Sequence, residues 1–165
     1  MLKKRIIFTL LYDNGQFVLS RNFRLQKVGN LEWLQKNYNF AHISFFIDEL
    51  LVLDVTRGER NQSAFCETLE ALTEGCFVPI SAGGGVRSVN HARRLLRSGA
   101  DKVVVNTPIF TQPELLKELT EEFGQQCVVG SLDLKRTEDG EYRVLVESGS
   151  RELDRIAKNE LQQLS

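Results

Sequence analysis

Apolar positions fall along the chain in short runs, and these alternate with longer stretches of helix-like spacing. Residues 5–11 (RIIFTLL) are nearly all apolar and read as a strand. Asp13, Asn14 and Gly15 follow as a tight turn into a second extended run at 16–20, which predicts a hairpin. Asn30 stands where it can cap a helix reaching 38 (LEWLQKNY). A buried strand is expected at 49–55 (ELLVLDV), a helix at 63–73 that stops near Gly75, and a third main strand at 77–81. Ser88 caps a helix over 88–97 (SVNHARRLLR) that Gly99 stops, and 102–106 (KVVVN) is a fourth strand. Pro113 opens a helix ending at Gly124, and a fifth strand covers 127–133 (CVVGSLD). Asp139 and Gly140 turn a second hairpin with its return arm at 142–147. Ser150 caps a last helix running nearly to the terminus.

Strands and helices alternate throughout, and strands that are apolar on both faces belong in a parallel sheet covered by helices. Two α/β architectures fit: a doubly wound sheet, or part of a (βα)₈ barrel. No GxGxxG follows the first strand, which weakens the dinucleotide-binding version. A short internal repeat favours the barrel. Asp48 precedes an apolar strand that ends in Asp54, Val55 and Thr56; Asp101 precedes one that ends in Asn106 and Thr107. Charge at one end of a strand and a small polar group at the other is how a barrel separates its base from its active face. Five parallel strands in sequential order are expected, because right-handed crossovers add neighbours one at a time.

Length and charge narrow this further. A chain of 165 residues holds one domain with one core. With 42% hydrophobic and 26% charged residues and a net charge of −1, there is no electrostatic case for nucleic acid or an anionic membrane. No apolar run reaches bilayer-spanning length, and the basic start at Lys3, Lys4 and Arg5 leads into the first strand, not a signal peptide. The three cysteines, Cys66, Cys76 and Cys127, are scattered and odd in number, and no CxxC pair or nearby histidine joins them. They read as free thiols in a reducing cytoplasm, with neither metal nor cofactor expected.

The strongest local signal for chemistry is SAGGGVRS at 81–88, directly after a strand and opening a helix. Gly84 and Gly85 can turn backbone N–H groups toward an anion, and the helix N-terminus adds partial positive charge. A single glycine would satisfy a tight turn needing positive φ; three in a row favour phosphate. Asn106 and Thr107 can hold a second edge of the same phosphate, or simply cap the next helix. Asp54 and Asp133, each closing a strand, are candidates for acid–base work or for substrate hydroxyls, with loop caps or salt bridges to Arg57 or Arg136 as the plain alternative. Arg5, Glu49 and Lys102 each start a strand and can meet in a charged ring at the barrel base; by physics alone this is a solvated ion-pair network.

The segments RIIFTLLYDNG, DELLVLDVT, SAGGGVRS, SGADKVVVNT and SLDLKR, in this order and spacing, resemble the cyclase subunit of imidazole glycerol phosphate synthase. The resemblance is clear over about 1–136; residues 137–165 add a hairpin arm and a terminal helix to the same single domain. It implies an incomplete (βα)₈ barrel of about five βα units. It also implies an ammonia-dependent lyase and cyclase activity that takes ammonia from a glutaminase through the barrel axis and cleaves and cyclises a phosphorylated ribonucleotide. By the resemblance, one substrate phosphate lies at Gly85, Asn106 and Thr107. Arg5, Glu49 and Lys102 form the ammonia gate, and the glutaminase docks near Asp101.

The departures are equally specific. The position of the family's first catalytic Asp, at the end of strand one, holds Leu11, and a Lys of the first loop is matched by Leu19. The second catalytic Asp belongs to a sixth strand that the chain does not reach, which leaves Asp133 as the only acid–base candidate of the resemblance. Leu10 and Leu11, with the stretch 20–29 (SRNFRLQKVG), are similar to a branch associated with surface-polysaccharide (lipopolysaccharide) biosynthesis. That branch is thought to convert a sugar acetamido group to an amidine with glutaminase-derived ammonia. The competing expectation is a non-catalytic remnant retaining a phosphate site and a docking face; a weaker one is another phosphate-binding barrel with no glutaminase partner. An unfinished barrel also leads to an expectation of self-association through its open edges.

Overall fold

The computed structural model describes residues 4–156. The chain opens with a meander of three strands, β1 (Ile7–Asp13), β2 (Gln16–Arg21) and β3 (Arg24–Gly29). Asn14 and Gly15 both take positive φ, 41° and 86°, as a two-residue hairpin turn requires. Helix α1 (Leu31–Asn37) follows, its first turn closed by Asn30, whose Oδ1 accepts from the Trp33 N–H at 2.9 Å. A short α2 (Phe40–Ile43) leads to β4 (Glu49–Asp54) and α3 (Gln62–Gly75), capped by Asn61. Next come β5 (Ile80–Gly83), α4 (Val89–Arg97) with Ser88 as its cap, and β6 (Lys102–Val105). After these lie α5 (Pro108–Thr111), α6 (Pro113–Phe123) and β7 (Val128–Gly130). A last meander comprises β8 (Asp133–Arg136), β9 (Tyr142–Val146) and β10 (Arg151–Ile156).

The main sheet has seven strands in the order β3-β2-β1-β4-β5-β6-β7. The five strands β1, β4, β5, β6 and β7 run parallel and lie in chain order, as expected of a barrel built one right-handed unit at a time. The β2–β3 arm extends the sheet antiparallel beyond β1. No reversal of strand order occurs at the glycine loop, so the doubly wound alternative is excluded.

Strand alternation divides the parallel sheet into two faces. One carries Leu10, Tyr12, Leu50, Val52, Ile80, Ala82, Val103 and Val105, all buried against Phe65, Leu69, Ala92, Leu95, Leu115 and Leu119 of the helices. The register aligns the other face as Leu11, Leu53, Gly83, Val104 and Val129 across neighbouring strands, with Glu49, Ser81 and Lys102 nearer the strand starts. Leu11, Leu51 and Leu53 on this inner face are only half-buried.

Three expectations are corrected. The third main strand begins at Ile80, not at 77; Phe77 is 81% exposed and Pro79 spends its carbonyl on the Leu50 N–H. The fifth strand ends at Gly130, and Asp133 opens β8 of a separate three-stranded sheet, so it does not close a barrel strand. The helix expected after Ser150 is strand β10 over its described part, paired antiparallel with β9; residues 157–165 of that expectation lie outside the described residues. The reason is the turn before it. Glu147, Ser148 and Gly149 take φ of 55°, 55° and 75°, which reverses the chain onto β9, and the Ser150 hydroxyl donates back to the Glu147 carbonyl at 2.7 Å instead of capping. Strand β3 and the short helices α2 and α5 go beyond the sequence reading. Among the described residues no helix is long and apolar enough to cross a membrane.

Candidate functional site

The carboxyl ends of the parallel strands open on a cavity of about 500 Å³. Its floor is the half-buried inner face, with Leu11, Leu53 and Val104. Its walls come from the loops after β4, β5 and β6, and its roof from two hairpin tips, at Phe23 and at Ser148. Sequence reasoning proposed Gly84, Gly85, Asn106, Thr107, Asp54 and Asp133 from widely separated segments; all six lie around this one cavity.

The glycine loop is shaped by two different contacts. Gly84 has φ of 115°, and a Cβ there would meet the Asp54 carbonyl oxygen at 2.2 Å, so this glycine lets β5 pass close to the end of β4. Gly85 has φ of 64°, and the atoms nearest to a Cβ there belong to the Arg60 side chain, with Nη1 at 2.9 Å. Behind the loop, His91 is buried on α4. Burial pushes its imidazole below the ordinary range, while a bond to the Gly85 backbone works the other way. Its Nδ1 lies 3.4 Å from Gln62 Nε2.

Asp54 is buried at the end of β4. Its Oδ1 accepts from the Thr56 N–H at 2.9 Å, and its Oδ2 pairs with Arg60 Nε at 3.6 Å, not with Arg57. Arg57 instead donates to the Phe23 carbonyl at 2.7 Å and to the Ser148 carbonyl at 3.4 Å, tying the two roof hairpins together. Thr107 Oγ1 accepts from the Glu147 N–H at 3.0 Å, so the β9–β10 tip is docked on the residue expected to bind phosphate. Among the described residues, the buried Asn106 Oδ1 has no hydrogen-bond partner. A buried amide oxygen left alone is costly and marks a place where a ligand donor fits. Asp133 faces the same cavity, and burial pushes its carboxyl above the ordinary value.

At the opposite end of the strands, Glu49 is buried. Its Oε1 accepts from the Ser81 hydroxyl at 2.5 Å; its Oε2 accepts from Lys102 Nζ at 3.0 Å and lies 3.7 Å from Arg5 Nη1. Burial raises the Glu49 carboxyl, but the Ser81 and Lys102 bonds and both cations outweigh it and leave the group below its ordinary value. The ring foreseen at Arg5, Glu49 and Lys102 is thus assembled, with Ser81 as a fourth member and a buried carboxylate at its centre. Asp101 lies on the same end; its Oδ2 accepts from the Ile80 N–H at 2.7 Å, as Asp48 Oδ2 does from Ile6. That shared bond is the physical content of the internal repeat. Ile6, Phe45, Phe46 and Phe77, which precede or start strands at this end, are 61%, 80%, 65% and 81% exposed.

Arg60 and the 147–150 tip are among the cavity groups that sequence reasoning did not place, and Arg57 was placed only as a candidate partner of Asp54. The arginines were visible in TRGER directly after β4, but only the fold brings Arg60 against the glycine loop and Arg57 to the two roof hairpins. Among the described residues no three His, Cys, Asp or Glu side chains cluster to hold a metal ion.

A profile of the histidine biosynthesis protein family matches residues 5–164. Over 149 residues the chain is 46% identical to a provisionally named imidazole glycerol phosphate synthase subunit hisF2 of Parasynechococcus marenigrum, covering 90% of this chain and 55% of the relative. It is 38% identical over 156 residues to the imidazole glycerol phosphate synthase subunit HisF of Streptococcus gordonii, covering 94% and 60%. The corresponding subunit of Mycobacteroides abscessus is 41% identical over 138 residues, covering 83% and 52%. The chain spans little more than half the length of these relatives.

Proposed function

The chain belongs to the histidine biosynthesis protein family, and from that premise we propose that it serves as a cyclase-type synthase subunit of a glutamine amidotransferase system. In this reading it receives ammonia from a glutaminase at the strand starts and holds a phosphorylated substrate at the strand ends, in the cytoplasm. The observation that carries the reading is the two-ended polarity of one strand face. Glu49, Ser81 and Lys102 form a buried polar ring at one end, and the glycine loop and arginines surround a cavity at the other. A carboxylate held ionised between two cations is suited to passing a small polar molecule, and the exposed Phe45, Phe46 and Phe77, at the same end of the strands as Asp101, suit a protein partner.

Leu11 lies in the cavity floor, where the resemblance to the histidine-pathway cyclase subunit calls for a catalytic Asp. A leucine moves no proton, and each general acid–base group contributes ~10²–10⁴-fold to rate. This favours a phosphorylated surface-polysaccharide sugar precursor over the histidine-pathway ribonucleotide as substrate. It equally supports the second reading, a non-catalytic protein that keeps the phosphate site and the docking face. Capture by a glutaminase of the imidazole glycerol phosphate synthase type tests the common premise. We expect the wild-type chain to be retained and Phe45→Glu to be lost, with the melting temperature unchanged. Failure of the wild-type chain to bind would refute the partner; robust turnover of the histidine-pathway nucleotide with ammonium would refute the inference from Leu11.

A further inference from the structure

We propose that Arg60 is the cation of an anion subsite specific for a terminal phosphate monoester, gripped between its guanidinium and the Gly84–Gly85 turn. The inference rests on the phosphate-binding part of the reading above and assigns the charge that part lacks. Backbone N–H groups supply dipoles; Arg87 lines the same cavity, but Arg60 is the cation whose guanidinium lies against Gly85.

Three features of Arg60 point the same way. Its Nε is buried and donates no hydrogen bond among the described residues; the Asp54 carboxylate stands off at 3.6 Å. Its Nη2 reaches Ser148 Oγ only at 3.5 Å, the limit of hydrogen-bond range. Its Nη1 makes no hydrogen bond among the described residues and lies over Gly85, 2.9 Å from where a Cβ would stand. A guanidinium carries five N–H donors in a planar fork, and leaving them unmatched in a largely buried place is unfavourable. Nε is the buried unmatched donor of the set, while the Nη1 edge opens to the cavity, where an incoming anion can reach it. Asp54 balances the charge from the Nε side but is itself committed to the Thr56 N–H, which leaves the Nη1 edge free toward the glycine turn. An oxyanion seated on that turn would take charge-assisted bonds from this edge, and a tetrahedral phosphate matches the fork. Arg57 is not the equivalent group, because its Nη2 already holds the Phe23 carbonyl at 2.7 Å.

The test is titration of the 165-residue chain with inorganic phosphate and with ribose 5-phosphate, followed by calorimetry and by the amide resonances of Gly84 and Gly85. Arg60→Gln should bind both probes on the order of 10- to 100-fold more weakly than wild type, the range of a lost hydrogen bond to a charged group. Arg60→Lys keeps the charge without the fork and should fall between. A merely structural arginine would move the melting temperature and leave affinity alone. Wild-type affinity for ribose 5-phosphate should also rise as the pH passes the second ionisation of the monoester at about 6, and Arg60→Gln should flatten that rise. Affinity in Arg60→Gln or Arg60→Lys within twofold of wild type overturns the proposal. So does failure of the wild-type chain to bind either probe; if that chain still captures the glutaminase, only the phosphate site is lost and the partner reading stands.

Discussion

Replacing Gly84 with alanine should do something quite different from replacing its neighbour Gly85, and the structure says why. At Gly84 an added Cβ would stand 2.2 Å from the Asp54 carbonyl oxygen and 2.7 Å from the Asp54 nitrogen, both backbone atoms. A carbon needs about 3.3 Å from a carbonyl oxygen, so the strands must part by roughly 1 Å. The φ of 115° is also far from the left-handed basin that alanine can visit. Backbone strain of this kind costs about 1–3 kcal/mol. Opening the end of the β4–β5 ladder near Leu53 and Gly83 removes one or two hydrogen bonds at about 0.5–1.5 kcal/mol each. The sum, roughly 2–6 kcal/mol, is a large share of the 5–15 kcal/mol typical of a domain. At Gly85, φ of 64° lies within the left-handed basin, and the nearest atoms belong to the flexible Arg60 side chain. Alanine there should cost about 1–2 kcal/mol, or about 2–8 °C in melting temperature for a chain of this length. Gly85→Ala should therefore fold, while binding phosphate less well because its methyl displaces the guanidinium. Urea unfolding followed by circular dichroism, with a phosphate titration of the folded variant, reads both effects. The reasoning fails if Gly84→Ala unfolds within about 1 kcal/mol of wild type, or if Gly85→Ala proves the more damaging.

The buried Glu49 carboxyl lies below its ordinary value of 4.5, so its network contributes fully above that pH and the contribution is lost as pH falls through the folded-state value. Lys102→Met removes a hydrogen bond and a charge, leaving Ser81 and the more distant, exposed Arg5 to oppose burial. Its stability should fall by about 1–3 kcal/mol at neutral pH, below the ~3–5 kcal/mol of a fully buried pair, and acid destabilisation should begin at higher pH. Urea midpoints between pH 3 and 7 that merely run parallel to wild type would refute this. Asp133 has the opposite sign. Burial raises its carboxyl above the ordinary 3.8, so the charged form weakens the fold at neutral pH. Asp133→Asn should stabilise the protein at pH 7, and the gain should vanish as pH drops below the ordinary value; a destabilised variant at pH 7 would show a partner for the carboxylate instead.

Local rules written into the sequence settled most of the scaffold. Buried apolar runs set the five parallel strands, Asn30 and Ser88 set helix starts, Asn14 and Gly15 set the first turn, and Gly124 set a helix end. Each acts within a few residues, through side-chain capping or permitted φ, so each can be read without the fold. The charged ring was legible for a related reason: strand starts converge once the strands are parallel and in order, whatever the loops do. What happens after β7 was decided otherwise. The spacing of apolar residues beyond Ser150 suits a helix, but antiparallel pairing with β9, irregular between Glu152 and Ile156, wins over local preference. Asp133 was displaced from a strand end to a strand start by the same rearrangement. The roles of Arg57 and Arg60 also belong to the tertiary structure. Gly85 lies 25 positions from Arg60 and Ser148 lies 91 from Arg57, and only the docking of three loops over one sheet brings them together. Sequence by itself fixes which segments can be strands, turns and helices, because those choices are made by neighbours along the chain; the meeting of a guanidinium, a glycine turn and a hairpin tip is decided by packing, which no local pattern encodes.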